Sequence, residues 1–247
     1  MNYILETIAF TIESCHQAQA AGVHRVELCD NPAEGGTTPS YGFIQAARKV
    51  LDIPLYPMIR PRGGNFLYSD DEFVCMKNDI KVCKNLGCDG VVLGILLKNA
   101  TINKEQCSQL VHLAYPMGVT FHRAFDRVLD APKALKDAID MGCERILTSG
   151  QYPTALEGMA KLKTLVELAQ GQIIIMPGSG VRANNILQLA KGTGAVEFHS
   201  SAQKKYPSLM EQHNPLFIEN LQTTGIDVDE VTNMLDSLQN IDNMLKQ

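Results

Sequence analysis

"LGCDGVVL", residues 86–93, is the stretch on which the fold turns. A glycine leads into a small residue, two mostly polar residues and a short apolar run. Glycine suits the left-handed residue that ends a helix. The branched run after it reads as a strand. The same order recurs as "AGVHRVEL" (21–28), "MGCERILT" (141–148) and "TGAVEFHS" (193–200). Such internal repetition marks a chain built from like units.

Between these lie four runs with a different entry: "YILETIAF" (3–10), "IPLYPMIR" (53–60), "GVTFHRAF" (118–125) and "QIIIMPGSG" (172–180). That makes eight expected strands. Helical patterns separate them. Ser69 with Glu72, and Thr154 with Glu157, have the spacing of capping boxes. Asp130 reads as a cap, and Pro39 sits at an expected first-turn position. Eight alternating β–α units predict a single (β/α)8 TIM barrel filling one domain, residues 1–247, with its strands within 3–202. A doubly wound open sheet is the alternative, but no G-x-G-x-x-G follows the first strand. Residues 203–226 read as an irregular excursion, and 227–245 as a last amphipathic helix.

Composition narrows the function. The formal net charge is -5 and the pI about 5.7, which argues against nucleic acid or an anionic membrane as partner. The longest apolar stretch, "GVVLGILL" (90–97), is too short to span a bilayer. The first residues carry Glu6 and Glu13 and no basic n-region, so they do not read as a signal peptide. The 7 cysteines show no C-x-x-C spacing and indicate neither a zinc knuckle nor a disulfide framework. The expectation is a reduced, cytoplasmic protein.

In such a barrel the chemistry sits at the C-terminal strand ends, and the ends here are polar. Period-two alternation puts Glu27 with Cys29, and Glu197 with His199, on one face. If that face is inward, Glu27, Arg60, His122, Glu197 and His199 converge on the mouth as candidate catalytic and binding groups. Arg60, Arg62 and Arg123 are candidate anion-binding cations in an acidic chain. Gly178, Ser179 and Gly180 follow strand seven, where these barrels bind phosphate on backbone N–H groups. The plainer readings stay open. The arginines could form structural ion pairs with Glu27 or Glu6, one histidine could be a satisfied core residue, and "PGSGV" could be a turn.

"ELCD" (27–30), "EGGTTPS" (34–40), "MIRPRGGNFLYS" (58–69), "TFHRAFD" (120–126), "ILTSG" (146–150), "MPGSGV" (176–181) and "EFHSSA" (197–202), in this order, closely resemble the CutC copper-homeostasis family. The resemblance covers about 3–202. It implies a cytoplasmic (β/α)8 barrel, a homo-oligomer, a role in copper homeostasis and Cu(I) as bound metal, with Cys29 as the matching copper ligand. Members proposed to bind copper carry a second cysteine in an E-x-C pattern near the end of strand one. Here that pattern reads Glu6-Thr7-Ile8. Asn65 stands where the family typically has aspartate.

Three functions of different class follow: a copper-binding homeostasis protein, an enzyme acting on a small anionic or phosphorylated metabolite, or a partner-binding barrel whose polar mouth is vestigial. Cu(I) prefers two or three soft ligands. One thiolate at Cys29 predicts weak binding, with Met58 and Met176 expected a layer below the mouth. A divalent metal on Glu and His side chains is a variant of the enzyme reading.

Overall fold

In the computed structural model, residues 3–245 are described apart from 213, 215, 217 and 219, with side chains described as far as residue 240. Eight parallel strands alternate with helices: β1 (Ile4–Ala9), α1 (Ile12–Ala20), β2 (Arg25–Leu28), α2 (Tyr41–Val50), β3 (Leu55–Pro57), α3 (Asp70–Asn85), β4 (Gly90–Leu93), α4 (Lys104–Ala114), β5 (Gly118–Phe121), α5 (Ala131–Met141), β6 (Arg145–Thr148), α6 (Met159–Ala169), β7 (Ile174–Pro177), α7 (Ile186–Thr193) and β8 (Glu197–Ser200). The strands form two four-stranded arcs, β8-β1-β2-β3 and β4-β5-β6-β7. At one seam Met58, just past β3, bridges Val92 of β4, and the Ile59 N–H donates to the Val92 carbonyl at 2.7 Å. At the other, β7 lies beside β8 without a backbone ladder among the described residues. The result is a (β/α)8 TIM barrel with an apolar layer between strands and helices, filled by residues such as Leu5, Val26, Ile80, Phe121 and Phe198.

The local signals explain the element starts, with two corrections. Ser69 and Glu72 make the reciprocal capping box of α3, and Asp130 accepts the Lys133 N–H at the start of α5. At α2, however, Ser40 is the cap and Pro39 precedes it, because the Ser40 hydroxyl takes the Phe43 N–H. Thr154 accepts the Glu157 N–H, yet α6 begins only at Met159, so that pair closes a turn ahead of the helix. The excursion is also more regular than its sequence implies. β9 (Gln203–Tyr206) and β10 (Thr223–Ile226) pair antiparallel as the arms of a hairpin before α8 (Val228–Leu245). No helix among the described residues is long and apolar enough to cross a membrane.

The barrel interior holds charge. Arg25 of β2 donates through Nε to Glu6 of β1 and through Nη2 to Glu197 of β8 at 2.6 Å. Arg145 of β6 donates to the same Glu197 oxygen at 3.1 Å and to Glu144 at 2.9 Å. Both guanidinium carbons lie 5.2 Å from the centre of the Tyr56 ring. Arg25, Glu6, Glu197 and Arg145 are all buried. Removing one partner of such a set leaves uncompensated buried charge, at a cost of about 3–5 kcal/mol. Arg25→Ala should therefore lower the urea midpoint severely, whereas the apolar Arg25→Met together with Glu6→Gln should recover part of the loss.

Candidate functional site

A cavity of about 870 Å³ occupies the C-terminal ends of the strands. Glu27, Arg60, His122, Arg123, Ser179, Gly180 and His199 all line it. Parallel register sets the depths. Glu6 faces both His199 and Arg25, and Ile8 faces Glu27. The His199 Nδ1 is 2.7 Å from Glu6 Oε1, and its Nε2 is 3.8 Å from Glu27 Oε2. Glu6 therefore orients the imidazole so that Nδ1–H donates to it and Nε2 turns to Glu27, in a carboxylate–imidazole–carboxylate row.

The electrostatics follow from burial and neighbours. Burial alone would raise Glu6, but Arg25 and His199 outweigh it and hold the carboxyl at about 2. Burial pushes Glu27 up from 4.5 to about 7, against the pull of His199 and with Glu6 adding to the rise. Burial alone would lower His199, yet Glu27 and Glu6 together raise it. The row thus keeps an exchangeable proton near neutrality.

His122 is set differently. It caps the 3-10 turn Arg123–Arg127, its Nδ1 accepting the Ala124 N–H at 3.2 Å. The proton therefore sits on Nε2, which has no partner. Burial, then Arg60, hold the ring neutral, with its pKa lowered to about 3. Arg60 is buried and pairs with no carboxylate among the described residues. Its Nη1 donates to the carbonyls of Glu34 and Gly36, both at 2.7 Å, and its Nη2 to that of Gly64 at 3.0 Å. Its Nε makes no well-formed hydrogen bond, and the Tyr68 hydroxyl, likewise without one, lies beside the guanidinium.

Three of the catalytic and anion-binding candidates lie outside the cavity. Glu197 sits one layer deeper, because it precedes His199 by two residues on the same face and is taken by Arg25 and Arg145. Arg62 turns away at Pro61 and binds Glu72 at 2.6 Å and the Leu67 carbonyl at 2.6 Å. Gly178 spends its N–H on Thr148, and a Cβ there would collide with Leu147. Ser179 and Gly180, at φ 75° and 74°, do line the cavity. Arg123 reaches it too, but pairs with Asp126 at 2.8 Å. Asp126 accepts the Ser149 and Gln151 N–H groups, so it ties down the loop after β6. Met58 lines the cavity rather than the layer below, where Met176 lies against Arg25. Glu6, Arg25 and Arg145 escaped the sequence reading as site groups, although the alternation that turned Glu27 inward also turns Arg25 inward.

The donors suit hard rather than soft metals. Ligand atoms of Glu6, Glu27 and His199 lie within 4.8 Å of one another and could take a divalent cation. The soft donors are poorer. Cys29 is fully buried outside the cavity, and burial with Glu27 and Glu6 beside it raises its thiol well above the usual range. Asn65 holds its own turn, its Oδ1 accepting the Leu67 N–H at 3.2 Å and an Arg62 Nη2 donor at 3.3 Å.

Fold and mouth together define a TIM barrel with an acid–histidine row beneath a polar cavity. The CutC family model matches residues 3–204, and the chain belongs to that family. It is 51% identical over 210 residues to a family protein CutC of Chromobacterium violaceum, covering 85% of each chain. It is 45% identical over 212 residues to the human copper homeostasis protein cutC homolog, covering 86% of this chain and 78% of that one. The crystal structure of a copper homeostasis protein CutC from Streptococcus agalactiae superposes with a TM-score of 0.78 at 38% identity, covering 81% of this chain and 98% of the other.

The raised proton affinities fix a pH dependence. Between 4.5 and about 7 the folded protein keeps a Glu27 proton that the unfolded chain has released, so stability falls as pH rises. His199, raised above 6.5, extends the same slope upward. Urea midpoints measured from pH 5 to 8 should decline for the wild type and flatten in Glu27→Gln.

Proposed function

We propose that this mouth binds a small anionic metabolite, carboxylated or phosphorylated, and moves a proton on it. The observation that carries the reading is a buried guanidinium without a carboxylate partner, Arg60, lining the same cavity as the Glu27–His199 pair. A buried cation without a counter-charge favours an anion beside it. Ser179 and Gly180 supply the backbone side of the anion site and Arg123 its rim. Glu27 and His199 exchange the proton, and His122 donates through Nε2–H. Glu197, Arg62 and Gly178 serve the framework. We read residues 1–247 as one domain, acting in the cytoplasm as a homo-oligomer. The seven free cysteines support a reducing compartment.

Inorganic phosphate should raise the melting temperature of the wild type. Arg60→Lys keeps a cation but loses the fork, and should weaken phosphate binding by about tenfold. Absence of any phosphate or carboxylate effect on the wild type would sink the anion reading.

Copper is the second reading, supported by the names of the relatives and by one contact. A Cβ on Gly36 would come within 2.8 Å of Cys29 Sγ and 3.8 Å of Met58 Cε, so the two soft side chains converge beneath that backbone. Ile8 packs in the same cluster. Cu(I) binding in this chain is accordingly weak and dependent on Cys29. In competition with a Cu(I) chelator, Cys29→Ser should abolish it and Ile8→Cys should tighten it. Tight binding that survives Cys29→Ser would exclude this site.

A further inference from the structure

Five buried side-chain atoms have no hydrogen-bond partner among the described residues: Thr7 Oγ1, Glu27 Oε1, Arg60 Nε, Tyr68 Oη and His122 Nε2. Three of the five belong to side chains that line the one cavity: Glu27, Arg60 and His122. Buried polar groups are almost always satisfied, so a cluster of exceptions outlines the polar groups of whatever fills the space. The cluster has a definite sense. Arg60 Nε is a donor and cannot be otherwise. His122 Nε2 is a donor because Nδ1 is already an acceptor for the Ala124 N–H. Glu27 Oε1 is the lone acceptor.

The two donors are arranged about one aromatic ring. The Arg60 guanidinium carbon lies 5.2 Å from the centre of Phe66, and the His122 ring centre lies 4.9 Å from it. Phe66 itself lines the cavity. A flat aromatic wall with an oxygen-seeking donor from each of two neighbours fits a planar molecule carrying two oxygen groups. Arg60, cationic, matches a carboxylate. His122, neutral, matches a carbonyl oxygen.

We propose that the ligand is a small 2-oxo acid, and that Glu27 takes a proton from the carbon beside its carbonyl. This rests on the reading of the cavity as an anion site and narrows it to one substrate class. The carboxylate takes Arg60 Nε–H, the oxo oxygen takes His122 Nε2–H, and C3 faces Glu27. The C3–H bond breaks and its proton passes to the Glu27 carboxylate. The bonding pair becomes the C2=C3 bond while the C2=O pair moves onto oxygen, giving an enolate held by the His122 donor. A neutral imidazole stabilises developing oxyanion charge without protonating it outright. Return of the proton to carbon closes the cycle, and no oxidant or reductant is required.

Oxalate, planar and shaped like the enolate of pyruvate, is the binding probe. Titration calorimetry on the full chain should show oxalate binding that weakens about tenfold in His122→Asn. Asparagine keeps an oxygen to accept the Ala124 N–H, so the turn stays capped, but it cannot reach the Nε2 position. His122→Gln places an amide N–H near that position and should restore part of the affinity. In D2O, the methyl protons of pyruvate should exchange faster with wild type than with Glu27→Gln, read by proton NMR. Oxalate binding unchanged in His122→Asn overturns the donor assignment, and absence of pyruvate exchange above the buffer rate overturns the proton step. Phosphate that stabilises the protein when oxalate does not bind overturns the oxo-acid class while leaving the anion site standing. Failure of both ligands removes the anion site itself.

Discussion

Arg25 is the interaction from which the rest of this barrel is organised. Small barrels usually fill their interior with branched apolar side chains. Here a guanidinium from β2 spans the interior between Glu6 of β1 and Glu197 of β8. Ionised groups in so dry a place are tolerable only when each is paired and hydrogen-bonded. Arg145 completes the set, so that two cations and two carboxylates neutralise one another. The arrangement also determines the site. Because Arg25 occupies one oxygen of Glu6, the other is left to hold His199. One side chain thus ends the structural network and begins the chemical one, and the tautomer of His199 is decided by a residue that does not itself line the cavity.

Arg60 plays the corresponding part for the loops. Three of its hydrogen bonds go to the carbonyls of residues 34, 36 and 64, stitching the loop after β2 to the loop after β3. That explains why the turn after Arg60 carries proline and two glycines, since the backbone has to double back to bring Gly64 to the guanidinium. At Gly36, with φ at 103°, the backbone passes so close to Cys29 that a side chain has no room. The same close approach that completes the Arg60 cradle seals the thiol away from the cavity.

The eight strands were legible because four of them follow the same glycine-led punctuation and four short apolar runs fall between those at regular spacing, and alternation turned Glu27 and His199 to one face. Depth was not legible. Alternation states which face a residue takes, but in a sheared barrel residues two apart lie in successive layers. Glu197, two before His199, and Arg25, two before Glu27, therefore belong to the layer below. Glu6 was hidden because its strand reads as an apolar run and its partners come from register with β2 and β8, across 19 and 193 residues. Arg62 misled for another reason. Period-two logic ends with the strand, and β3 ends at Pro57.

The thiol and the acid–histidine row of this mouth are neighbours with different access to the cavity. Glu27 and His199 line the cavity, while Cys29 is buried behind it in the apolar cluster of Ile8, Met58, Tyr56 and Val92, with Glu27 beside the thiol. A thiol in that setting, with two carboxylates near, resists ionisation, and an un-ionised thiol is a poor metal ligand. Position 8 is where the balance is struck. Ile8 faces Glu27 across the β1–β2 register and lines the cavity itself, so an apolar branched side chain there keeps soft chemistry out of the place where the acid–histidine row meets solvent. In this chain the residue at position 8 belongs neither to the Arg25 network nor to the Glu6–His199 pair, so the character of the mouth at that point is set by a side chain outside the framework that builds the site.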